Sequence, residues 1–573
     1  MASVTPPRYL SVTSHPAHLP AAYPGRVSTH EVTNQVPSFT GHNLFGGDVA
    51  LAEAVSRWGT PKAADDLDAL GALAGSAVAQ QWGDQADRCV PLLRSHSPQG
   101  VRIDEVEFHP AWHNLMEVAV GNGLTAEPWT APAGSGAHLR RAAGFIVWTQ
   151  AEPAHLCPVS MTYAAAPALR CAPELERRWL PGLASRTYDF GLRPPGEKAG
   201  LIAGMAMTEK QGGSDVRTNS TTAVRAPDAP LDGDAHLLTG HKWFCSAPMS
   251  DVFLVLAQAE GGLTCFLVPR VLDDGTRNPF LIQRLKDKLG NRANASSEIE
   301  LDDTWGVRVG EEGRGIRTII DMVASTRLDT VLGSTGLMRQ ALARALHHAR
   351  LRTAFGRSLI DQPLMRNVLA DLALESEAAT VLATRLAHAV DEGDSDLSRL
   401  GVAVAKAWVC KRTPAMVAEA MECLGGAGYV EENGLARLYR EAPLNSIWEG
   451  SGNVNALDVL RAMVREPASV AALGKELALV RGHDRALDAA IDDVESYPAL
   501  AAREEAPWQA RRIVERMALT MQAALLVQHA PAEVSDAFVA SRLHSEHGGI
   551  FGTLGADIGA ARIGAVIERA LPG

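Results

Sequence analysis

Residues 205–215 read Met205-Ala-Met-Thr-Glu-Lys-Gln-Gly-Gly-Ser-Asp215, and they mark the point where the pattern of the chain changes. Gly212 and Gly213 are adjacent and flanked by Thr208, Ser214 and Asp215, which predicts a loop whose backbone approaches a ligand closely. Its N–H groups and hydroxyls would suit a phosphate or the polar edge of a heterocycle. A plain Gly-Gly turn between two strands is the competing reading. Downstream, short β-branched and aromatic segments alternate with turns: Thr221–Val224, His236–Phe244, Val252–Ala257, Leu263–Val268 and Glu298–Leu301. Asp232-Gly233 and Asp274-Gly275 are turn signals between them. A β domain is expected over residues 199–312.

Both flanks are helical. From 46 to 198, Leu51, Ala54, Val55 and Trp58 fall on one face, and Ala142–Val147 predicts a buried helix. Pro194, Pro195 and Gly196 end that region. The helical period returns after Gly315 and holds over a 313–465 domain. There Met338, Leu342, Ala345 and Ala349 form a stripe, with Arg339, Arg344 and Arg350 placed elsewhere. Residues 466–573 are a helical, Ala-rich extension, and residues 1–45, rich in Pro, Ser, Thr and His, read as an extended arm. There are no internal repeats.

With 573 residues, 46% hydrophobic and 21% charged, the chain buries a large core, and disorder over its length is excluded. No run of about 18 apolar residues occurs, so no membrane span is expected. The formal charge of −12 argues against a protein that mainly wraps nucleic acid. Cys89, Cys157, Cys171, Cys245, Cys265, Cys410 and Cys423 are scattered without a CxxC pair, which disfavours a disulfide framework or a zinc site. The N-terminus lacks an apolar h-region, so a cytoplasmic protein is expected. No metal site is expected either: His347-His348 are adjacent on a helix, and His544, Glu546 and His547 lack a third strong ligand.

Three stretches carry candidate chemistry. Thr239-Gly-His-Lys-Trp-Phe-Cys-Ser246 falls on a predicted strand, where alternation sends one of Trp243 and Phe244 inward and the other outward. Core packing is the simpler reading of such a strand, with Cys245 a small core residue. Leu424-Gly-Gly-Ala-Gly-Tyr429 lacks the preceding strand and downstream acid of a dinucleotide fingerprint, so no Rossmann unit is expected. In Ser446-Ile-Trp-Glu-Gly-Ser-Gly-Asn-Val454, Glu449 lies between an aromatic residue and a glycine. Held among apolar groups it would serve as a base; left in solvent it is an ordinary surface acid.

In order and spacing, these segments resemble the acyl-CoA dehydrogenase family over roughly residues 140–465. The matching stretches are Met207-Thr-Glu through Gly213-Ser-Asp215, Thr239-Gly-His-Lys through Ser246, Arg352-Thr-Ala-Phe-Gly356, Leu424–Tyr429 and Trp448-Glu-Gly450. Lys210-Gln-Gly-Gly-Ser-Asp215, Ile360-Asp-Gln-Pro-Leu-Met365 and Ile447-Trp-Glu-Gly-Ser-Gly-Asn453 are closer to the AidB-type branch, as are the arm and the extension. The resemblance implies a mostly α fold with a central β domain. Its parts would be an N-terminal helical domain, a β barrel, a four-helix bundle and an extra C-terminal helical domain.

It also implies FAD at the junction of barrel and bundle, a homotetramer, and an acyl-CoA-like substrate. Met205, Met207, Thr208, Gly213 and Ser214 would meet the flavin edge or pyrophosphate. Phe244 would cover a ring face, with Cys245 beside it and Ser246 near N5. Arg352, Phe355, Gly425 and Gly426 would serve the pyrophosphate and adenosine, partly across a subunit interface. Ile447, Trp448, Gly450, Ser451 and Asn453 would close the pocket, and Arg327 would face the substrate. Glu449 matches the family's base, removing an α-proton while hydride leaves the β-carbon for N5. The other base position of the family, just before the matching arginine, is Thr326 here. Two departures bear on the substrate: Ala324 stands where relatives commonly have an acid, and Phe244 where many have Trp.

The AidB branch is associated with the response to DNA alkylation, so the resemblance further implies double-stranded DNA as a partner of the C-terminal domain. The alternative is a metabolic dehydrogenase without a DNA role. From Arg465 to Gly573 there are 11 Lys and Arg against 15 Asp and Glu, a net charge of −4, the wrong sign for a phosphate binder. Arg511, Arg512 and Arg516 could still line one helical face, joined in space by Arg437 and Arg440. Salt-bridged solvent faces, with Glu504, Glu505 and Glu515 interleaved, are the competing reading.

Overall fold

The computed structural model describes residues 29–227, 234–544 and 548–573. The first 28 residues of the expected arm, the Asp232-Gly233 turn and the Glu546-His547 pair lie outside them. Residues 34–47 do not form a free arm. Phe39, Leu44 and Phe45 are buried, because the arm lies along the helices instead of in solvent. The N-terminal domain contains α1 (Val49–Trp58), α2 (Pro61–Ala74), α3 (Ala77–Arg88), α4 (Pro110–Gly121), α5 (Ala137–Thr149), α6 (Leu156–Leu169) and α7 (Pro173–Leu183). Between α3 and α4 it carries a hairpin, β1 (Leu92–His96) with β2 (Arg102–Glu107), where a helical pattern was expected. α6 is apolar on nearly every face, and a helix of that kind belongs in a core.

The middle domain consists of β3 (Ala203–Ala206), β4 (Thr222–Arg225), β5 (Ala235–Ser246), β6 (Val252–Ala259), β7 (Gly262–Pro269), β8 (Phe280–Leu285) and β9 (Ser296–Val309). The sheet closes on itself in the order β6-β4-β5-β9-β7 and back to β6, with β3 added beside β6 and β8 beside β9. Strand β6 is apolar on both faces for a reason. Phe253, Val255 and Ala257 join the main core, while Val252, Leu254 and Leu256 pack with Ala164, Ala165 and Leu169 of α6. Each such side chain contributes about 1.5–3 kcal/mol on full burial.

After α8 (Gly315–Thr318) comes the bundle: α9 (Ile320–Leu351), α10 (Pro363–Glu392), α11 (Ser395–Glu422), the short α12 (Leu435–Glu441) and α13 (Gly452–Arg465). The expected one-sided stripe on α9 is replaced by burial all round, since α5, α6, α10 and α11 pack on it. Arg339, expected off the stripe, is 5% exposed and donates to the carbonyls of Gly47 and Ala570. Arg141 of α5 donates to Asp329 of α9 at 2.8 Å, with both side chains 2% exposed.

The extension forms α14 (Pro467–Ala478), α15 (Arg485–Ala501), α16 (Ala506–His529), α17 (Ala532–Arg542) and α18 (Ala560–Ala570). It wraps the bundle: α16 lies on α10, α11 and α13, and α18 on α10. Arg569 ties the chain end to Glu53 at 2.6 Å and Glu377 at 2.9 Å. No described helix is long and apolar enough to cross a membrane.

Candidate functional site

The site forms where helix α6, the barrel and the bundle meet. Cys157 and Met161 from α6, Met205, Ala247 and Met249 from the barrel, and Trp448 from the bundle make one apolar cluster there. Three of the sequence-predicted stretches converge on it: the 205–215 loop, the end of β5, and the 447–453 segment.

The 205–215 loop is fixed by a residue that carried no role in the sequence reading. Glu209 is fully buried and saturated. Its Oε1 accepts from Lys242 Nζ at 2.7 Å and from Thr221 Oγ1 at 2.6 Å; its Oε2 accepts from Ser220 N at 2.6 Å and Gln211 Nε2 at 2.8 Å. Burial alone would raise this carboxyl, but the Lys242 and Thr221 hydrogen bonds outweigh it and hold it well below the usual range. Lys242 donates its second bond to Leu256 O at 2.7 Å, so loop and barrel wall share one anchor. Gly213 lies against Thr208: a Cβ there would come within 2.4 Å of Thr208 Oγ1, so only glycine lets the loop close this tightly.

On β5 the expected alternation fails at one step. The register against β9 shifts between Lys242 and Cys245, a bulge of one residue. As a result both aromatic rings sit under one ammonium, with Lys286 Nζ 3.7 Å from the Trp243 centroid and 4.4 Å from that of Phe244. Phe244 is 51% exposed while Cys245 is fully buried. Trp243 N donates to Thr208 O at 2.8 Å, joining bulge to loop.

The 447–453 segment holds Glu449 at φ +56°, left-handed backbone that a non-glycine residue adopts only when its surroundings impose it. They do. Buried Lys406 donates to Trp448 O at 2.8 Å and Gly450 O at 2.6 Å, and Asn455 Nδ2 reaches Gly450 O at 2.6 Å. Arg327 Nε donates to Glu449 O at 3.2 Å, and its Nη1 to Asp458 at 2.7 Å. Arg327 is thus tied to the Glu449 backbone and to Asp458, beside the expected base. Thr326 Oγ1 donates to Glu449 Oε2 at 2.5 Å, and this is the hydrogen bond on the carboxylate. Trp448 Nε1 donates to Asn445 at 3.0 Å, which orients the indole toward the cluster.

Flat exposed apolar surface from Phe244 and from Ile447, which is 62% exposed, together with Thr208, Ser214 and Ser246, fits a ring with an apolar face and a polar edge. The other predicted residues do not converge within one chain. Thr326 and Arg352 lie near opposite ends of α9, roughly 40 Å apart at 1.5 Å per residue. Arg352 donates to Asn34 O, Phe355 is 99% exposed, and Gly425, at φ +57°, and Gly426 have open space where a Cβ would stand. Ser451 and Asn453 are exposed, and Asn453 accepts from Arg511 Nε at 2.9 Å.

Two expected DNA contacts are corrected. Arg437 is 3% exposed and donates to Ala151 O, because α12 packs inward. Arg440 is enclosed between Asp87 at 2.7 Å and Glu431 at 2.5 Å. Arg516 faces Asp493 at 3.3 Å, and Arg511 and Arg512 are exposed.

Comparison with known proteins agrees with this architecture. The AidB N-terminal domain ("adaptive response protein AidB N-terminal domain") matches residues 34–190; the acyl-CoA dehydrogenase middle domain matches 204–304 and its C-terminal domain 313–464. The chain is 44% identical over 525 residues to the putative acyl-CoA dehydrogenase AidB of Escherichia coli, covering 91% of this chain and 95% of that one. The chain belongs to the acyl-CoA dehydrogenase family, in its AidB branch. It is also 30% identical over 548 residues to acyl-CoA dehydrogenase family member 11 of Caenorhabditis elegans, covering 87% of this chain and 86% of that one. A solved structure of the C. elegans ACDH-11 in complex with C11-CoA superposes with a TM-score of 0.80 at 27% identity, covering 95% and 93%. Members of this family are flavin-dependent oxidoreductases that use FAD.

Within the family frame, Lys242 and Lys406 are the residues that sequence reasoning missed. Lys242 stood inside a quoted motif, where a lysine on a predicted strand next to two aromatic residues was a signal of a buried partner. Lys406 gave none, since a lysine at a helical position reads as surface.

Proposed function

We propose that this protein dehydrogenates a short acyl-CoA thioester, with Glu449 as the base that takes the α-proton. The observation that carries this reading is the strained, singly hydrogen-bonded Glu449 at the seam of three domains. Thr326 holds Oε2, which leaves Oε1 to receive the proton. Lys406, Asn455 and Arg327 hold the backbone on both sides, so the carboxylate is aimed before substrate arrives. Met161, Met249, Cys157 and Trp448 form an apolar cluster that would exclude water from the reaction. Thr208, Ser214, Phe244 and Ser246 would hold the flavin ring. When bound, FAD supplies the acceptor for the hydride that leaves the β-carbon.

Arg352, Phe355, Gly425 and Gly426 would complete the cofactor site of a second copy, which makes the working unit an oligomer, in this reading a tetramer. The test is anaerobic addition of isovaleryl-CoA to the purified flavoprotein. Absorbance of the oxidised flavin should bleach in the wild type and persist in Glu449→Gln; failure to bleach with any short acyl-CoA rejects the reading.

A second reading is favoured by the likeness to the AidB N-terminal domain and by the start of α16, where exposed Arg511 and Arg512 flank Trp508, 93% exposed. Here the α16 face would hold duplex DNA and shield it from alkylation. Binding should weaken linearly in log K against log salt, with Arg512→Ala reducing the slope by about one. No binding at low salt rejects it.

A further inference from the structure

Lys288 lies beneath the end of β5 and has no role in the chemistry above. Its Nζ donates to Asn294 O at 2.6 Å and to Ser296 Oγ at 2.8 Å. Ser296 Oγ in turn stands 3.4 Å from Ser246 Oγ, across the β5–β9 register. Among the described residues Lys288 forms no ion pair with a carboxylate, whereas two other enclosed lysines in or beside the barrel do: Lys242 with Glu209 and Lys198 with Asp251. A partly buried ammonium satisfied only by a carbonyl and a hydroxyl keeps an uncompensated charge, which is costly unless that charge acts on something nearby.

The groups facing it are few. Cys157 of α6 is one of them, and burial pushes its thiol up to about 12, opposed first by Lys288 and then by a hydrogen bond from Ser246. Glu441 at the end of α12 and Glu152, ahead of α6, also favour the charged form of Lys288. Burial lowers the ammonium itself to about 8, with Cys157 and Glu441 resisting the change. The chain Lys288–Ser296–Ser246 therefore points a positive charge at the residue expected beside flavin N5.

We propose that Lys288 is a positioning residue for the bound flavin: through Ser296 and Ser246 its ammonium favours the reduced, more negative state of the ring. This rests on the reading that Ser246 lies at the flavin. A charge of this kind affects electron acceptance and leaves proton removal to Glu449, so it is separable from the base. Conversely, it needs no contact with the substrate.

The experiment is a spectroscopic redox titration of the FAD-loaded full chain, as wild type, Lys288→Gln and Lys288→Arg, from pH 6 to 9. In Lys288→Gln the equilibrium for reduction should fall about tenfold, which is about 30 mV for a two-electron couple. Lys288→Arg, which keeps the charge, should stay within twofold of wild type. The wild-type potential should bend near pH 8, and the bend should be missing in Lys288→Gln. Equal potentials in wild type and Lys288→Gln, or equal losses in both variants, overturn the proposal. A wild-type protein that takes up no flavin overturns instead the reading beneath it, and melting curves of the three proteins separate loss of fold from loss of tuning.

Discussion

Glu209 and Glu449 each stand in a family motif, and each is served by a buried lysine, yet the two regions treat the carboxylate in opposite ways. Lys242 binds the Glu209 carboxylate itself, and hydroxyl and amide donors fill its remaining lone pairs. Lys406 binds the carbonyls on either side of Glu449 and leaves the carboxylate, among the described residues, to Thr326. In the barrel the lysine anchors a side chain; at the seam it anchors a backbone turned to φ +56°. That conformation costs about 1–3 kcal/mol, offset by the donors to Trp448, Glu449 and Gly450. A saturated carboxylate is a scaffold, and an unsaturated one on a strained backbone is available for proton transfer.

The sharpest break of this contrast is Glu449→Gln. It removes the proposed base without altering shape, and general-base contributions run to 10²–10⁴-fold. The rate of anaerobic flavin reduction should fall within that range while the melting midpoint stays put. Glu209→Gln should do the reverse. It leaves the ammonium of Lys242 buried without its counter-charge, a loss of about 3–5 kcal/mol. Thermal melting would read this as a large fall in the midpoint, and Lys242→Met added to Glu209→Leu should recover part of it. The sign with pH follows from the depressed carboxyl. Its stabilisation is present above the unfolded value of about 4.3 and is lost as pH falls through the lower folded value. Acid melting curves of wild type and Glu209→Gln should therefore converge.

A third carboxylate calibrates the contrast. Glu441 is buried, and desolvation pushes it up to about 8, while Asn291 N donates to its Oε1 at 2.5 Å. A raised carboxyl stabilises the fold below the unfolded value of about 4.3 and loses that stabilisation as pH rises through about 8. The wild-type melting midpoint should decline between about pH 5 and 8, and Glu441→Gln should flatten the decline. A midpoint that rises over this range would mean that the neighbouring Asp87 and Arg437 control the titration instead.

Much of this was legible in the chain. The barrel strands announced themselves because a closed sheet packed by α6 on its outside is apolar on both faces, as in β6. The motif stretches that carry Glu449, Phe244 and Thr208 stood out because they combine glycines with small polar and aromatic residues. What stayed hidden depended on distance along the chain. Arg437 and Arg440 read as surface charges because Ala151, Asp87 and Glu431 cannot be paired with them from sequence. The Arg327–Asp458 pair was not legible because Asp458 is supplied by another helix. Strand β8 opens with three apolar residues in a row, Phe280, Leu281 and Ile282, and the Leu92–Glu107 hairpin carries several charges, so neither shows a clean alternation. The separation of Arg352 from Glu449 follows from the length of α9, which no local motif records.

The smallest expected effect tests the finest point of the comparison. Thr326→Val keeps the shape of the side chain and removes the hydrogen bond to Glu449 Oε2. Hydrogen bonds to charged groups are worth about 1.5–3 kcal/mol, but this one orients the base without transferring its proton, so only part of that enters the barrier. Reduction should slow about tenfold with KM nearly unchanged, and Thr326→Ser should restore it. If Thr326→Val is as damaging as Glu449→Gln, one hydroxyl fixes the whole productive geometry and the backbone clamp from Lys406 is secondary. If it costs nothing, the clamp alone aims the carboxylate. A faster variant would mean that Thr326 restrains the base, and the difference between scaffold and base would then lie in the barrel alone.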